Sequence, residues 1–405
     1  MRKITTVAVT VLLALMLAAC GSSSDNDSGG ASGSGGSSTG AGSGSSDPVR
    51  LGILIPQSGD AAVTGRFMTD GARAAIEQLN ARGGIDGRKI DYEVFDTVGD
   101  PQNGVNAYNK FASDGYRFGI VGFSAVVTAI GPLAARQDML LVNSGAPPFD
   151  ADAMGAHTIH TLNGQDHEMQ CAAQYAYDDL GARRVGAIFA DIAANRAGVE
   201  AFSRDFEEKG GQVVGSESAP QGSTDFRSIL TRLKQEDPDL IYIYTFGSDP
   251  GNILKQMREL GMTARTLSYS GAAVPQTIQV AGDAADGSYY TAGLFDANST
   301  DPQTRAFVEA YRRVSPDTAT SDLTFYHATL YDGVMALADA MRAVKADGGD
   351  MDDPQTVYDA FFRVGRFPAA TGTAEFRDGD PIARKPFQVL QVRDGRFVPI
   401  DTVEC

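Results

Sequence analysis

The stretch VRLGILIPQSGDAAVTGRFMTDGARAAIEQLNARGGIDGRKIDYEVFD, residues 49–96, decides the fold of this chain. It begins with a largely apolar run, residues 49–55, which predicts a buried strand. Residues 56–60, PQSGD, cannot continue that strand, because Pro lacks the backbone N–H and Gly and Asp favour turns. Open α/β sheets bind their ligands in loops at the carboxyl ends of their strands. This loop is therefore predicted to face a ligand site.

A helix and a second strand follow the loop. The apolar positions that predict the helix are Ala72, Ala75, Ile76 and Leu79. Gly83-Gly84 then ends the helix where positive φ is needed. Residues 90–95 alternate like a strand with one solvated face. These elements form a βαβ unit, and the rest of the chain repeats the pattern, which predicts α/β architecture with parallel sheets covered by helices on both faces.

Length and charge narrow the class of protein. A chain of 405 residues is long enough for two domains with cores of their own. Its apolar fraction of 42% and charged fraction of 21% are typical of a globular protein. The formal net charge of −17, without a visible basic patch, argues against nucleic-acid binding, because phosphate contacts need clustered Lys and Arg.

The order of three motifs resembles the branched-chain amino-acid binding proteins of ABC importers. The motifs are LGILIPQSGD at residues 51–60, TG at residues 64–65 and GARAAIEQLNARGGIDGRKI at residues 71–90. Within the last motif, GGIDGR at residues 83–88 is the most specific signature. The resemblance extends nearly end to end over the mature chain. It implies a periplasmic binding protein of type I, with two similar, doubly wound parallel-sheet lobes joined by a three-segment hinge.

The first 20 residues predict a signal peptide. Arg2 and Lys3 precede an apolar run that ends in Leu-Ala-Ala-Cys. This ending resembles a bacterial lipobox, which implies that Cys20 is lipidated and becomes the first mature residue; the alternative is plain secretion. Residues 21–47, almost entirely Ser, Gly and Asp, predict a flexible tether. We therefore expect an exported chain, anchored by lipid to the outer face of the bacterial cytoplasmic membrane.

The resemblance also predicts how the chain is divided between the lobes. It places three crossings near residues 161–164, 290–293 and 370–373. The expected N-terminal lobe contains residues 48–162 plus 293–371. The expected C-terminal lobe contains residues 163–292 plus 372–405.

Two cysteines remain in the mature part, Cys171 and Cys405. Outside the cytoplasm a pair of cysteines is more often bridged than free. The sequence leaves open a disulfide or two separate thiols, because it does not show whether the Cα atoms come within reach. The resemblance places both cysteines in the same lobe, which favours the bridge.

Candidate ligand contacts in the N-terminal lobe follow two predicted strands. Ser124 and Ala125 come after a buried strand and before a helix, so the hydroxyl and N–H groups there are predicted to face an anion at the positive end of the helix. A simple helix cap is the alternative for Ser124. By resemblance, Ser124 and the backbone of Ala146 bind the ligand carboxylate. Thr64 stands at a position that is often aromatic in the family.

In the C-terminal lobe the resemblance weakens. Asn195 stands where the family commonly has a tyrosine, and Phe246 lies at or next to another tyrosine position. Ser270 replaces the acid that binds the ligand ammonium. Because an unpaired ammonium in a closed cleft costs several kcal/mol, either another acid such as Asp191 or Asp249 takes the role, or the ligand lacks an ammonium.

Tyr326, on a long predicted C-terminal helix, is a further candidate for the lining of the cleft. Like the contacts from the C-terminal lobe, it has packing or exposure to solvent as the alternative interpretation.

The sequence lacks the motifs of metalloproteases, nucleotide-binding proteins and α/β-hydrolases. His167-Glu168-Met169-Gln170-Cys171 is not the H-E-x-x-H motif of metalloproteases. Residues 59–65 match neither nucleotide-binding glycine motif, and residues 122–126 lack the last Gly of a nucleophile elbow. No catalytic residue, metal or cofactor is expected.

These observations predict a solute-binding protein and not an enzyme. It would capture a small polar ligand, an amino acid or a related amide or carboxylate, between two lobes that close by hinge motion. It would act as a monomer and deliver the ligand to an ABC permease. The alternatives are a ligand-sensing receptor for a membrane signalling partner and an exported α/β enzyme.

Overall fold

The computed structural model describes residues 47–59, 61–148, 150–377 and 379–405. The predicted signal peptide, the predicted lipidation site Cys20 and, apart from Asp47, the predicted tether lie outside the described residues. No helix in the described part is long and apolar enough to cross a membrane.

The first sheet contains parallel strands in the order β2-β1-β3-β4-β5. These strands are β1 (Val49–Ile55), β2 (Ile90–Asp96), β3 (Phe118–Val121), β4 (Leu140–Asn143) and β5 (Thr158–His160). The helices between them are α1 (Ala62–Ala81), α2 (Pro101–Ser113) and α3 (Ser124–Arg136). The sequence did not predict β5, which has three residues and is too short to show a period.

The second sheet has the order β14-β13-β10-β9-β8-β6-β7. Its parallel part consists of β6 (Arg184–Ala190), β7 (Gln212–Ala219), β8 (Leu240–Tyr244), β9 (Arg265–Ser268) and β10 (Tyr289–Gly293). The accompanying helices are α4 (Gln165–Asp178), α5 (Ala193–Glu208), α6 (Arg227–Gln235), α7 (Asp249–Glu259) and α8 (Pro275–Ala281).

The chain then returns to the first sheet and passes once more to the second. The returning helices are α9 (Pro302–Val314), α10 (Phe325–Ala346) and α11 (Pro354–Val364), followed by the short strands β11 (Arg366–Phe367) and β12 (Ala374–Glu375). Two antiparallel strands, β13 (Phe387–Arg393) and β14 (Arg396–Val403), complete the second sheet.

Both sheets are covered on two faces by apolar side chains. On one face of the first sheet, Ile53 packs in a core with residues of α1 and α10, and on the other face Leu54 packs with residues of α2 and α3. In the second sheet, Tyr242 and Ile243 likewise point into different cores. This alternation places helices on both faces. It confirms the predicted type I fold with two doubly wound lobes, with β13 and β14 as an antiparallel addition.

The third crossing lies later than predicted. Ala374, Phe376 and Ala383 belong to the core of the first sheet, and Ala383 N–H donates to the His160 carbonyl at the edge of β5. Phe387 belongs to the core of the second sheet. The chain therefore crosses after Ala383, and the expected boundary at residues 371–372 is wrong. Backbone pairing of residues 382–383 with His160, at the edge of β5, keeps this segment on the first sheet. The local sequence does not show this pairing.

Cys171 of α4 and Cys405 form a disulfide, with Cα atoms 5.5 Å apart. Of the two alternatives left open by the sequence, the structure has the bridge.

Candidate functional site

The N-terminus of α3 is presented by an unusual backbone conformation. Phe123 connects β3 to α3 with φ 67°, a value that a bulky residue rarely adopts. Its carbonyl accepts from the N–H groups of Val126 and Val127. The first N–H groups of a helix have no acceptor within the helix, and no side chain of the described residues caps this end. Half-buried Ser124 and exposed Ala125 therefore begin a helix whose positive end is open to an anion.

Two glycines bring the loops after β3 and β4 into contact. A Cβ atom on Gly122 would come 2.8 Å from the Gly145 Cα, and one on Gly145 would come 2.7 Å from the Gly122 Cα. Real Cβ atoms do not approach a backbone so closely. The absence of side chains at both positions thus allows Ser124 and Ala146 to lie on adjacent loops.

The backbone of Ala146 is already engaged by the protein. Its N–H donates to Asn143 Oδ1 (3.2 Å), and its carbonyl accepts from Asn143 Nδ2 (2.8 Å). The same Asn143 nitrogen lies 2.9 Å from His160 Nδ1. Burial lowers the pKa of His160 to about 4, so the ring is neutral at pH 7 and can accept from the amide. A ligand group at the Ala146 N–H has to compete with Asn143.

On the side of the second sheet, a buried carboxylate lies beside Ser270. Glu168 of α4 is 4% exposed. Its Oε1 accepts from the Ser270 backbone N–H (2.6 Å) and from Thr291 Oγ1 (2.6 Å), and its Oε2 accepts from Ser270 Oγ (2.9 Å). Burial raises the pKa of Glu168, and these three hydrogen bonds act in the opposite direction.

Tyrosines surround this carboxylate. The rings of Tyr244 and Tyr269 meet edge to face, with centroids 4.3 Å apart. Burial raises the pKa of both hydroxyls and of Tyr326, and the nearby Glu168 charge raises all three further. These tyrosines therefore stay protonated at neutral pH and retain hydroxyl donors near the carboxylate.

A cavity of about 430 Å³ joins the two sides of the molecule. Pro147, in the loop after β4, contributes to its wall, and so do segments that belong to the second sheet and its helices. Glu168, Ser270 and Tyr326 also line it. The apolar part of the lining includes Val274, Leu294, Phe325, Leu390 and Phe397. The cavity thus combines apolar walls with a buried carboxylate.

The predicted site residues are only partly brought together. Ser270 and Tyr326 line the cavity, and Tyr326 as a whole residue is 39% exposed. The other predicted contacts, all among the described residues, are not part of its wall: Thr64, Ser124, Ala125, Ala146, Asn195 and Phe246.

The structure shows where three of these residues lie and, for Asn195, what the side chain binds. Buried Asn195 donates from Nδ2 to the Tyr244 carbonyl (2.9 Å) and so ties α5 to the end of β8. Phe246 is half-buried just after β8, and Thr64 is half-buried in the first turn of α1. Ligand contacts by these side chains stay predictions.

Neither proposed substitute acid lies beside Ser270. Asp191 is exposed and pairs with Arg196 at 2.7 Å. Asp249 is buried at the start of α7, where its Oδ2 accepts from the Gly222 N–H (3.0 Å). The acid at Ser270 is Glu168, which stands in the sequence only beside His167 in a segment that does not match the metalloprotease motif. An acidic residue just after the first predicted crossing could have indicated a contact in the cleft. No neighbouring residue in the sequence, however, indicated that Glu168 would contact Ser270.

A second buried charged group connects the crossing segments. The Lys385 backbone N–H donates to Asn163 Oδ1, and its carbonyl accepts from Asn163 Nδ2. Its ammonium donates to Thr371 Oγ1 (2.5 Å) and lies 3.8 Å from Asp332 Oδ2. Lys385 also lines the cavity, but its charge is balanced by Asp332.

One cluster in the described part has the residue types of a metal site. His167, Cys171 and Cys405 bring potential ligand atoms within 4.8 Å of one another. Both sulfurs are in the disulfide, however, so they offer no thiolate to a metal.

Comparison with known proteins agrees with this geometry. Residues 48–396 match the family model described as periplasmic binding protein. Leu/Ile/Val-binding protein homolog 1 of Brucella suis biovar 1 is 29% identical over 337 residues, covering 82% of this chain and 87% of that protein.

Two solved structures show the same fold. A leucine binding protein from Thermotoga maritima is 22% identical, with a TM-score of 0.71, over 88% of this chain and 98% of that chain. A solute binding protein of an ABC transporter from R. palustris, in complex with 4-hydroxybenzoate, is 20% identical, with a TM-score of 0.72, over 88% and 97% of the two chains.

Proposed function

The chain belongs to the periplasmic binding protein family, and from this premise we propose that it captures a small polar ligand between its lobes and delivers it to an ABC permease. It is a solute-binding protein and not an enzyme, as its family and fold indicate. Proteins of this family are exported. We further propose that lipid on Cys20 anchors the chain and that it acts as a monomer.

The cavity beside Glu168 is the observation that carries the proposal. It is lined by Pro147 from the loop after β4 and by Glu168 and Ser270 from the other lobe. We assign residues 48–162 plus 293–384 to one lobe and residues 163–292 plus 385–405 to the other. A ligand that contacts both lobes favours the closed state by its differential affinity for that state.

The open N-terminus of α3 supports an anionic group on the ligand. Ser124 and Ala125 offer a hydroxyl and N–H groups at the positive end of a helix of 13 residues. The leucine and 4-hydroxybenzoate named for similar structures each combine a carboxylate with an apolar body. We propose an amino acid or a related amide or carboxylate, with its carboxylate or carbonyl at α3.

Ligand-induced stabilisation tests this function. The purified chain is heated with amino acids, matched acids without the α-amine, and amides. A ligand at about a hundred times its Kd adds roughly 2.7 kcal/mol to the free energy of unfolding, which raises Tm measurably. Ser124→Ala should reduce the shift, whereas the exposed Ser113→Ala, at the end of α2, should not. If no compound in the panel raises Tm, the proposal is wrong.

Anchoring and delivery need cellular measurements. Cys20→Ser should abolish labelling by a fatty-acid probe and release the chain from the membrane fraction. Cells that lack the chain should lose uptake of the stabilising ligand and regain it when the gene is restored. Normal uptake without the chain would contradict delivery to a permease.

A further inference from the structure

We propose that reduction of the Cys171–Cys405 disulfide creates a zinc site formed by His167, Cys171 and Cys405, and that the metal then holds the segment after β14 on α4. The observation is the juxtaposition of one imidazole and two sulfurs, whose potential ligand atoms lie within 4.8 Å of one another. Thiolate and imidazole are the ligands that Zn²⁺ favours, whereas Ca²⁺ and Mg²⁺ prefer oxygen. The three residues are not part of the wall of the ligand cavity, so the inference does not depend on the proposed function.

The helix α4 presents two of the three ligands. His167 and Cys171 are four residues apart in α4, so their side chains lie one turn apart on the same face. His167 Nε2 is 4.0 Å from Cys171 Sγ. In a tetrahedral zinc site with bonds of about 2.0 Å to nitrogen and about 2.3 Å to sulfur, these two ligand atoms are about 3.6 Å apart. The pair therefore needs only a small adjustment of the imidazole to bind one ion.

The third ligand comes from Cys405, whose backbone is close enough for a shared metal. The Cα atoms of Cys171 and Cys405 are 5.5 Å apart. Two sulfurs on one Zn²⁺ lie about 3.8 Å apart, which rotation about the Cα–Cβ bonds provides once the disulfide is open. Cys405 follows the end of β14 at Val403, so its backbone is less constrained than that of Cys171 inside α4. The same two residues can thus form either a disulfide or a metal site.

A cavity beside the cluster gives a metal access. His167 and Cys405 line a second cavity, of about 600 Å³, that also reaches the crossing segment at Lys385. Cys171 is 1% exposed and closes the site on the side of α4. Zinc with three protein ligands takes a water molecule in the fourth position. The cavity has room for that water, so three protein ligands are sufficient.

Reduction is the step that makes the ligands available. A dithiol reductant transfers two electrons and two protons to the disulfide; the S–S bond breaks, two thiols form, and the reductant closes a disulfide of its own. Zn²⁺ then displaces both thiol protons to the solvent and binds the two thiolates and His167 Nε2. The two thiolates balance the charge of the ion. Oxidation of the thiols to the disulfide would expel the metal.

Cobalt titration tests the site on the Cys20→Ser chain, in which Cys171 and Cys405 are the only cysteines. The chain is reduced with a phosphine, because a dithiol would itself bind the metal. The reduced chain should bind about one Co²⁺, with the visible bands of a tetrahedral site and a thiolate charge-transfer band, and Zn²⁺ should displace it. Zn²⁺ should also raise the Tm of the reduced chain, and a chelator should reverse the rise. The oxidised chain should show neither effect.

Substitutions identify the ligands. His167→Ala and Cys405→Ser should weaken the binding of Zn²⁺ to the reduced chain by roughly tenfold or more. His157→Ala, which changes another half-buried histidine outside the cluster, is the matched control and should leave the affinity unchanged.

Two results would overturn the proposal. If the reduced chain gives no thiolate charge-transfer band, or if Zn²⁺ raises the Tm of the oxidised chain equally, the disulfide does not control a metal site. If His167→Ala binds Zn²⁺ as tightly as wild type, the imidazole is not a ligand and the three-residue site is wrong. The comparison of reduced and oxidised chain needs neither His167→Ala nor Cys405→Ser, so it decides the question even if those variants do not fold.

Discussion

The Glu168 carboxylate accepts hydrogen bonds from both the backbone N–H and the hydroxyl of Ser270, 102 residues further along the chain. Glu168 lies in the first turns of α4, and Ser270 follows β9. The two contacts fix the orientation of the carboxylate at the cavity. They also make the side chain of Ser270 part of the support for a buried charge.

Ser270→Ala should lower the free energy of unfolding by about 1.5–3 kcal/mol, because it removes a hydrogen bond to a buried charged group. Ser268→Ala is the matched control. The Ser268 hydroxyl is buried, and no group in the described part of the chain bonds to it, so its removal should be nearly neutral. Urea unfolding measures both; equal losses would mean that the Ser270 contact adds no stability.

The stability difference between wild type and Glu168→Gln should depend on pH. Burial raises the pKa of Glu168 above its ordinary 4.5, so the folded state holds this proton more tightly than the unfolded state. Wild-type stability therefore falls, relative to the non-titrating variant, as pH rises from about 4.5 through the raised pKa, and the difference is constant above it. Unfolding curves measured between about pH 4.5 and pH 8 give this difference. A difference that does not vary over this range would contradict the raised pKa.

Loss of the Cys171–Cys405 disulfide should lower the free energy of unfolding by about 2–5 kcal/mol. The bond closes a separation of 234 residues, which strongly restricts the unfolded chain. Cys171→Ser, Cys405→Ser and reduced wild type should all unfold at similar urea concentrations. Reductant should not shift the two variants; a further shift would point to a different effect of the reductant.

Lys385→Met should be more damaging than the double change Lys385→Met with Asp332→Asn. The single change leaves the buried Asp332 without its cation and should cost about 3–5 kcal/mol, whereas the double change removes both charges. In the single variant Asp332 keeps its donors from Ala370 and Thr371. In the double variant an NH2 group that cannot accept replaces one carboxylate oxygen, so one of these donors loses its acceptor, but no buried charge remains unpaired. If the two variants are equally stable in urea, the charges of Lys385 and Asp332 do not stabilise each other.

Gly145→Ala should separate the loops that carry Ser124 and Ala146. Its Cβ would lie 2.7 Å from the Gly122 Cα, and overpacking of this kind costs about 1–3 kcal/mol. Ligand-induced stabilisation should fall as well. Gly104→Ala is the control, because its Cβ meets only the Val126 side chain, at 3.0 Å, inside α2. Equal effects of the two changes on Tm would contradict this prediction.

Local pattern was sufficient for much of the fold. The spacing around Ala72 and Leu79 predicted α1, and Gly83 and Gly84 follow its end with positive φ. Asp394 and Gly395 predicted the hairpin between β13 and β14, where both residues have positive φ as a tight turn requires. These features depend on neighbouring residues, so the sequence contains them directly.

The candidate site was less accessible to such reasoning. Ser124 was recognisable because strand, loop and helix follow one another in the chain. Glu168 was missed as a partner of Ser270 because their contact spans 102 residues and two different elements. The late third crossing was missed for the same reason, since it depends on pairing with the edge at His160.

The sequence by itself determined the class of fold, the alternation of strands and helices and the loops that end the strands, because hydrophobic period and turn chemistry act over a few residues. Only the tertiary structure decided which acid accompanies Ser270, where the chain crosses for the third time and whether Cys171 and Cys405 meet. Each of these depends on atoms brought together from distant segments by packing. The physical reason is that burial and hydrogen bonding act through distance in space, which the order of residues does not specify.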